Sequence, residues 1–292
     1  MKHVVIVTDS SSGITQAEAK SNGIVVVPIP FTIDGQEYLE DVTITAPEFF
    51  ERIAKTDSVS TSQPSRLVLE ETWNNLLQEY EHVIYIPITS GLSGSCQNAI
   101  EYAKTYNGRV TVIDNLRISA PLKISVYEAA KMAEQGKNVD EIIEYLKNTK
   151  HQFSIYITLN TLKYLRKGGR ITPAAALIGD MLKLKPILYT RGQNFDKTAV
   201  ALTMQQAKKR MMTEIKNELQ TEFKEPYAQG KMALLIAYTA LPEAEIKKFQ
   251  AEITAEFPNM KILYSDPLCL AIGCHTGPGA LGFGTCVCDY LS

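Results

Sequence analysis

The sequence predicts an α/β protein of two α/β domains: the first on a largely parallel sheet with helices on both faces, the second mixed. Three observations predict it. Short apolar runs such as Val4–Asp9 end in polar loops, the pattern of buried parallel strands. These runs alternate with helical segments along the chain, which implies a sheet covered by helices. After two consecutive helices the strand-helix pattern starts afresh at Phe153, so the domains are expected at 1–150 and 151–292.

Taken in order, Val4–Asp9 and Ile24–Val27 read as strands around a helix at Gln16–Ser21. Phe31–Tyr38 reads as a hairpin turning at Asp34-Gly35, part of a small insertion near 30–45. Thr45-Ala-Pro-Glu48 has the form of a capping box with proline in the first turn, opening a helix to about Lys55. A helix is expected from Pro64 to about Tyr80, its apolar face drawn from Leu67, Leu69, Trp73, Leu76 and Leu77. Strands at Val83–Ile88 and Arg109–Asp114 flank a helix running through Tyr106, and helices at Pro121–Gln135 and Val139–Lys147 close this half. The second half begins with strand Phe153–Thr158 and a helix at Thr161–Lys167 broken by Gly168-Gly169, with Pro173 starting the next. Lys185–Thr190, Ala199–Thr203, Met232–Tyr238, Lys261–Tyr264 and Leu281–Cys288 read as strands. Gln205–Phe223 and Glu243–Phe257 read as helices.

Composition narrows the function. Of 292 residues, 45% are hydrophobic and 21% charged, as in ordinary globular proteins, and the net charge of −2 lacks the basic footprint of a nucleic-acid binder. No apolar run reaches the roughly 20 residues of a membrane-spanning helix, and the N-terminus lacks a signal-peptide pattern. A cytoplasmic location is therefore expected. Five cysteines without a secretion signal suggest free thiols packed in the core. A zinc site is a weaker reading, resting only on Cys274 beside His275, so no metal and no cofactor are expected.

Two loops carry the chemistry. Ser60-Thr-Ser-Gln-Pro-Ser65 offers hydroxyls at a helix entrance, where free amides and the helix dipole favour an anion; the plain alternative is an N-cap with spare serines. Thr89-Ser-Gly-Leu-Ser-Gly-Ser95 makes the same offer, with Gly91 and Gly94 letting amides approach a ligand. It lacks the Gly-Lys-Ser/Thr ending of a phosphate loop and the Gly-x-Ser-x-Gly spacing of a nucleophile elbow. On an open parallel sheet both loops would lie at the carboxyl ends of strands, and the pair together favours ligand binding. Asp9-Ser-Ser-Ser12 reads as an Asx-capped turn or as part of the same edge. Arg170, after Lys167-Gly-Gly, suits a carboxylate or phosphate, or is a solvated helix end. His275, in the Gly/Pro-shaped turn His275-Thr-Gly-Pro-Gly-Ala280, would donate to an anion or relay a proton, or is structural.

Thr8-Asp9-Ser10, Ser60–Ser65, Ser90–Ser95, Lys167-Gly-Gly-Arg-Ile171 and His275–Ala280, in this order, resemble the DegV family of bacterial lipid-binding proteins over essentially the whole chain. The resemblance implies one long-chain fatty acid between the two domains. Its carboxylate would be held by Thr61, Ser62, Ser93 and Gly94 and completed by His275, with Arg170 near the head group or at a partner interface. It also implies a non-catalytic role as the subunit that presents the acid to a fatty acid kinase, whose acyl phosphate product feeds phospholipid synthesis. The sequence departs from the kinase-coupled pattern at Leu202-Thr203, where those members carry Arg-Thr; a stand-alone carrier or sensor is the alternative. A serine hydrolase using Ser93, His275 and Asp9 or Asp114 is a further one.

Overall fold

The structure, a computed structural model, describes residues 2–177 and 184–291. The chain begins with β1 (Lys2–Asp9), α1 (Gln16–Ser21) and β2 (Ile24–Val27), then β3 (Phe31–Ile33), β4 (Gln36–Tyr38), α2 (Ala46–Ile53) and β5 (Val59–Thr61). It continues through α3 (Arg66–Leu76), β6 (Tyr80–Ile86), α4 (Ser95–Ala103), β7 (Val110–Val112), α5 (Ser119–Glu134) and α6 (Val139–Thr149). The second half holds β8 (Phe153–Thr158), α7 (Lys163–Gly168), α8 (Pro173–Ala176), β9 (Lys185–Thr190), β10 (Asp196–Ala201), α9 (Met204–Gln220) and α10 (Lys224–Ala228). It ends with β11 (Met232–Tyr238), α11 (Glu243–Glu256), β12 (Ile262–Pro267), α12 (Leu270–Thr276) and β13 (Leu281–Val287).

The first sheet is all parallel, in the order β2-β1-β6-β7. Side-chain alternation along its strands explains why both faces need helices. Ile6, Ile84 and Ile86 pack with Leu122, Val126 and Ile142 of α5 and α6. Val5, Val7, Val83 and Tyr85 pack with Leu69, Trp73 and Ala99 of α3 and α4. The second sheet, β10-β9-β8-β13-β11-β12, is mixed: only β11 and β12 run parallel. One of its faces is sealed by α9 and α11 around Phe249 and Phe283. The other faces the first half, where Phe153 and Leu235 pack with Ala120 and Ile124 of α5.

The expected fold class is present, with corrections in detail. The hairpin turns where expected, with Asp34 (φ 51°) and Gly35 (φ 82°) both left-handed as a type I′ turn requires. Its third strand, β5, makes Ser60–Ser65 the exit of a small antiparallel sheet, so of the two hydroxyl-rich loops Thr89–Ser95 alone follows a strand of the parallel sheet. Thr45 precedes α2 without the side-chain bond of a capping box. The helix expected from Pro64 starts at Arg66, because Ser65 caps it by accepting from the Val68 amide; Leu67 consequently faces solvent. Leu202 and Thr203 lie beyond β10, and Thr203 caps α9 through the Gln206 amide. His275 sits in the last turn of α12, a helix absent from the sequence expectations; the Gly/Pro turn follows it.

Candidate functional site

Three elements from distant parts of the chain meet at the rim between the sheets. The β5 exit brings Thr61, Ser62 and Gln63; the loop after β6 brings Leu92, Ser93 and Gly94; the end of α12 brings His275. Arg170, just after α7, joins them. All six residues expected to hold or approach a head group (Thr61, Ser62, Ser93, Gly94, Arg170 and His275) therefore line one cavity of about 220 Å³.

Thr61 Oγ1 and His275 Nε2 share a hydrogen bond of 3.0 Å across the two halves. Burial, helped by the Arg170 charge, pushes the His275 pKa down to about 4, so the ring is neutral at pH 7. A neutral imidazole that donates from Nε2 to the Thr61 oxygen leaves the Thr61 hydroxyl proton for an anion and brings no charge of its own. Its Nδ1 is buried and without a partner among the described residues. Ser93 Oγ accepts from the Ser95 amide at 3.2 Å, the first amide of α4. The Arg170 guanidinium is partly used, donating from Nε to the Leu92 carbonyl (3.0 Å) and from Nη1 to the Gly168 carbonyl. Ser62 and Gly94 are exposed, so this end of the cavity opens to water.

Glycines let the parts approach. A Cβ on Gly168 would stand 2.1 Å from His275 Nδ1, and one on Gly91 would stand 2.1 Å from the Gly192 carbonyl oxygen. That second approach allows Thr89 Oγ1 to donate to the same carbonyl at 2.7 Å, which ties the second loop to the turn after β9.

Ile118, Phe195, Ile272 and Thr276 line the cavity too, and they also line a second, largely apolar chamber of about 40 Å³. The floor of that chamber is the inner face of the mixed sheet. Register places Gly284 between Ile155 and Leu235, and Gly282 between Ile157 and Ala237. Two glycines two residues apart leave one face of β13 bare, a groove walled by isoleucine and leucine. Composition could have signalled this, since Gly-x-Gly inside a strand marks missing side-chain bulk. Ser11, at the turn after β1, also lines the cavity, but its hydroxyl is already donated to Asp9.

No Ser93–His275 hydrogen bond exists among the described residues. Asp9 is engaged by Ser11 and the Ile88 amide, and Asp114 by the Ser90 and Leu116 amides. With a buried unpartnered Nδ1, His275 lacks the carboxylate that orients a catalytic base. The five cysteines are free and buried, and burial pushes the Cys274 thiol up to about 12. Among the described residues no group of three His, Cys, Asp or Glu is placed to hold a metal, and no helix is long and apolar enough to cross a membrane.

Comparison with known proteins identifies the family. The profile of the DegV family, described as uncharacterised proteins, matches residues 3–287. The chain belongs to the DegV family. A DegV domain-containing protein of Halalkalibacterium halodurans is 30% identical over 287 residues, covering 97% of this chain and 98% of the relative. One from Staphylococcus aureus is 33% identical over 187 residues, 64% of this chain and 67% of its own. Among solved structures, a DegV family protein from Thermus thermophilus described by its fatty acid binding superposes with a TM-score of 0.85 at 26% identity, covering 98% and 99% of the two chains. DegV of Bacillus subtilis, described as a fatty acid binding protein, gives 0.83 at 25% identity, covering 98% and 100%.

Proposed function

We propose that the two joined chambers bind one long-chain fatty acid, at the junction of domains 1–150 and 151–292. The carboxylate would lie against Thr61, Ser62, Ser93, Gly94 and His275, with Arg170 at its edge. The tail would pass Ile118, Phe195 and Ile272 onto the glycine groove of β13. The observation that carries this reading is a cavity lined by hydroxyls and His275 that shares Ile118, Phe195, Ile272 and Thr276 with an adjoining apolar chamber. Burying each methylene contributes about 0.8 kcal/mol, so the tail supplies affinity and the head group needs only orientation. A neutral His275 and hydroxyls suit that task better than a fully committed arginine pair, because they leave the carboxylate free to react elsewhere. The fatty-acid-binding relatives support the same ligand class.

Presentation to a fatty acid kinase, giving an acyl phosphate for phospholipid synthesis, is the second part of the proposal. The head-group end is exposed at Ser62 and Gly94, as presentation requires. Leu202, 68% exposed just after β10, stands where the resemblance to kinase-coupled members would put an arginine; a stand-alone lipid carrier is the reading that needs no kinase. Two measurements test the proposal. Displacement of a fluorescent fatty acid should weaken about tenfold in Thr61→Val or Ser93→Ala, the effect of one charge-assisted hydrogen bond; unchanged affinity would remove these residues from the site. Oleate-dependent acyl phosphate formation, with ATP and the kinase subunit of the same genome, then separates presenter from carrier.

A further inference from the structure

On the far side of the Thr61–His275 bond lies a third cavity, of about 190 Å³. It shares Thr61, Arg170 and His275 with the head-group chamber but none of the Ile118, Phe195 and Ile272 walls assigned to the tail. Instead it adds Lys163, Lys167 and Asp57. Three cations therefore face it against one carboxylate, and that carboxylate is already paired with Lys163. Lys163 and Lys167 lie four residues apart on α7, so they share one face of the helix. The Lys167 ammonium has no ion pair or hydrogen bond among the described residues. Arg170 keeps donors beyond its bonds to Leu92 and Gly168. Ser60 and Thr61 of β5 line it too and add hydroxyl side chains.

We propose that this chamber is an anion site for a phosphate group, adjacent to but separate from the fatty-acid carboxylate position. Donors converge on it from α7, from the loop carrying Arg170 and from β5. A tetrahedral dianion can meet all three directions, with the guanidinium as a fork and the ammoniums as point charges. A planar carboxylate with one charge would leave an ammonium uncompensated. The cation set stands whether or not the neighbouring chambers hold a fatty acid. The phosphate would come either free in solution or as the terminal group of a nucleotide.

The test is titration of the full chain with inorganic phosphate and, separately, with ATP, followed calorimetrically at low ionic strength, with and without oleate. The expected result is a saturable isotherm for phosphate, weakened about fivefold in Lys167→Ala, the effect of about 1 kcal/mol, and lost in Lys167→Glu. Lys167 is exposed and outside the acyl chambers, so both variants should fold and bind oleate as the unsubstituted protein does. Tighter binding of ATP than of phosphate supports the site with a nucleotide as source, and equal or weaker binding supports it with free phosphate. A non-saturable response, or an isotherm that Lys167→Glu leaves unchanged, overturns the proposal. Failure of oleate to bind the unsubstituted protein counts against the acyl chambers alone.

Discussion

A methyl group on Gly168 would have to share space with the His275 ring, so this glycine decides whether the histidine reaches Thr61. Gly168→Ala should push the ring aside and break the Thr61 bond, since overpacking forces side chains off their rotamers. The expected outcome is fatty-acid affinity reduced about as much as by Thr61→Val, with a cooperative melt retained; affinity equal to the unsubstituted protein would show that His275 does not hold the head group. The residues in this cluster were readable from the sequence, because hydroxyl-rich loops, a glycine pair before Arg170 and a histidine before Gly-Pro-Gly announce themselves locally. The purpose of Gly168 was not. Its reason is a contact with α12, and no local pattern encodes a distance between segments so far apart in the chain.

At the scale of elements, α12 carries titratable groups at both ends. Glu40 accepts from the Leu270 amide at its start (2.9 Å), and burial raises the Glu40 pKa to about 7. His275 lies in its last turn with a pKa lowered to about 4. The two contributions have opposite signs. For His275 the folded pKa is below the unfolded value of 6.5, so its contribution is full above 6.5 and is lost as pH falls towards 4. For Glu40 the folded pKa is above the unfolded 4.5, so its contribution is full below 4.5 and is lost as pH rises through 7. Denaturation midpoints measured from pH 4 to 8 should therefore show Glu40→Gln gaining relative stability as pH rises and His275→Gln gaining it as pH falls; flat difference curves would contradict both assignments. The mixed sheet gives a second expectation. Gly282→Val should fill the groove between Ile157 and Ala237 and weaken C18 acids far more than C10 acids in the displacement assay, whereas equal loss for both would place the tail elsewhere. Strand order and the bare face of β13 were illegible beforehand because alternation predicts a face, never a neighbour. The helix α12 was missed because its apolar run is short and punctuated by Gly273.

Across the whole molecule the halves are joined by polar clamps around the chambers. Lys123 of α5, 3% exposed, donates to Glu18 of α1 (2.9 Å) and to Asp266 of β12 (2.8 Å). Its ammonium also lies 4.8 Å from the centre of the Tyr264 ring. Lys123→Met should leave two partly exposed carboxylates facing each other and lower stability by about 2 kcal/mol, read from chemical denaturation; a neutral substitution would mean the clamp does not join the halves. Glu128 of α5 reinforces the same junction by accepting from the Tyr290 amide (3.0 Å), which returns the end of the chain to the first half. The alternation of strands and helices made the α/β class legible. These long-range clamps were not, because a buried lysine looks like any surface lysine until its partners are placed. They matter because the head-group chamber takes Thr61 and Ser93 from one half and Arg170 and His275 from the other, so it exists only while the halves are held together. The most direct test of that chamber's role is mass spectrometry of lipid extracted from protein purified without added ligand from lipid-replete cells. A single long-chain fatty acid per chain, held about tenfold less tightly after Thr61→Val substitution, is the predicted result; protein that carries no acyl chain and takes up no oleate when titrated would contradict it.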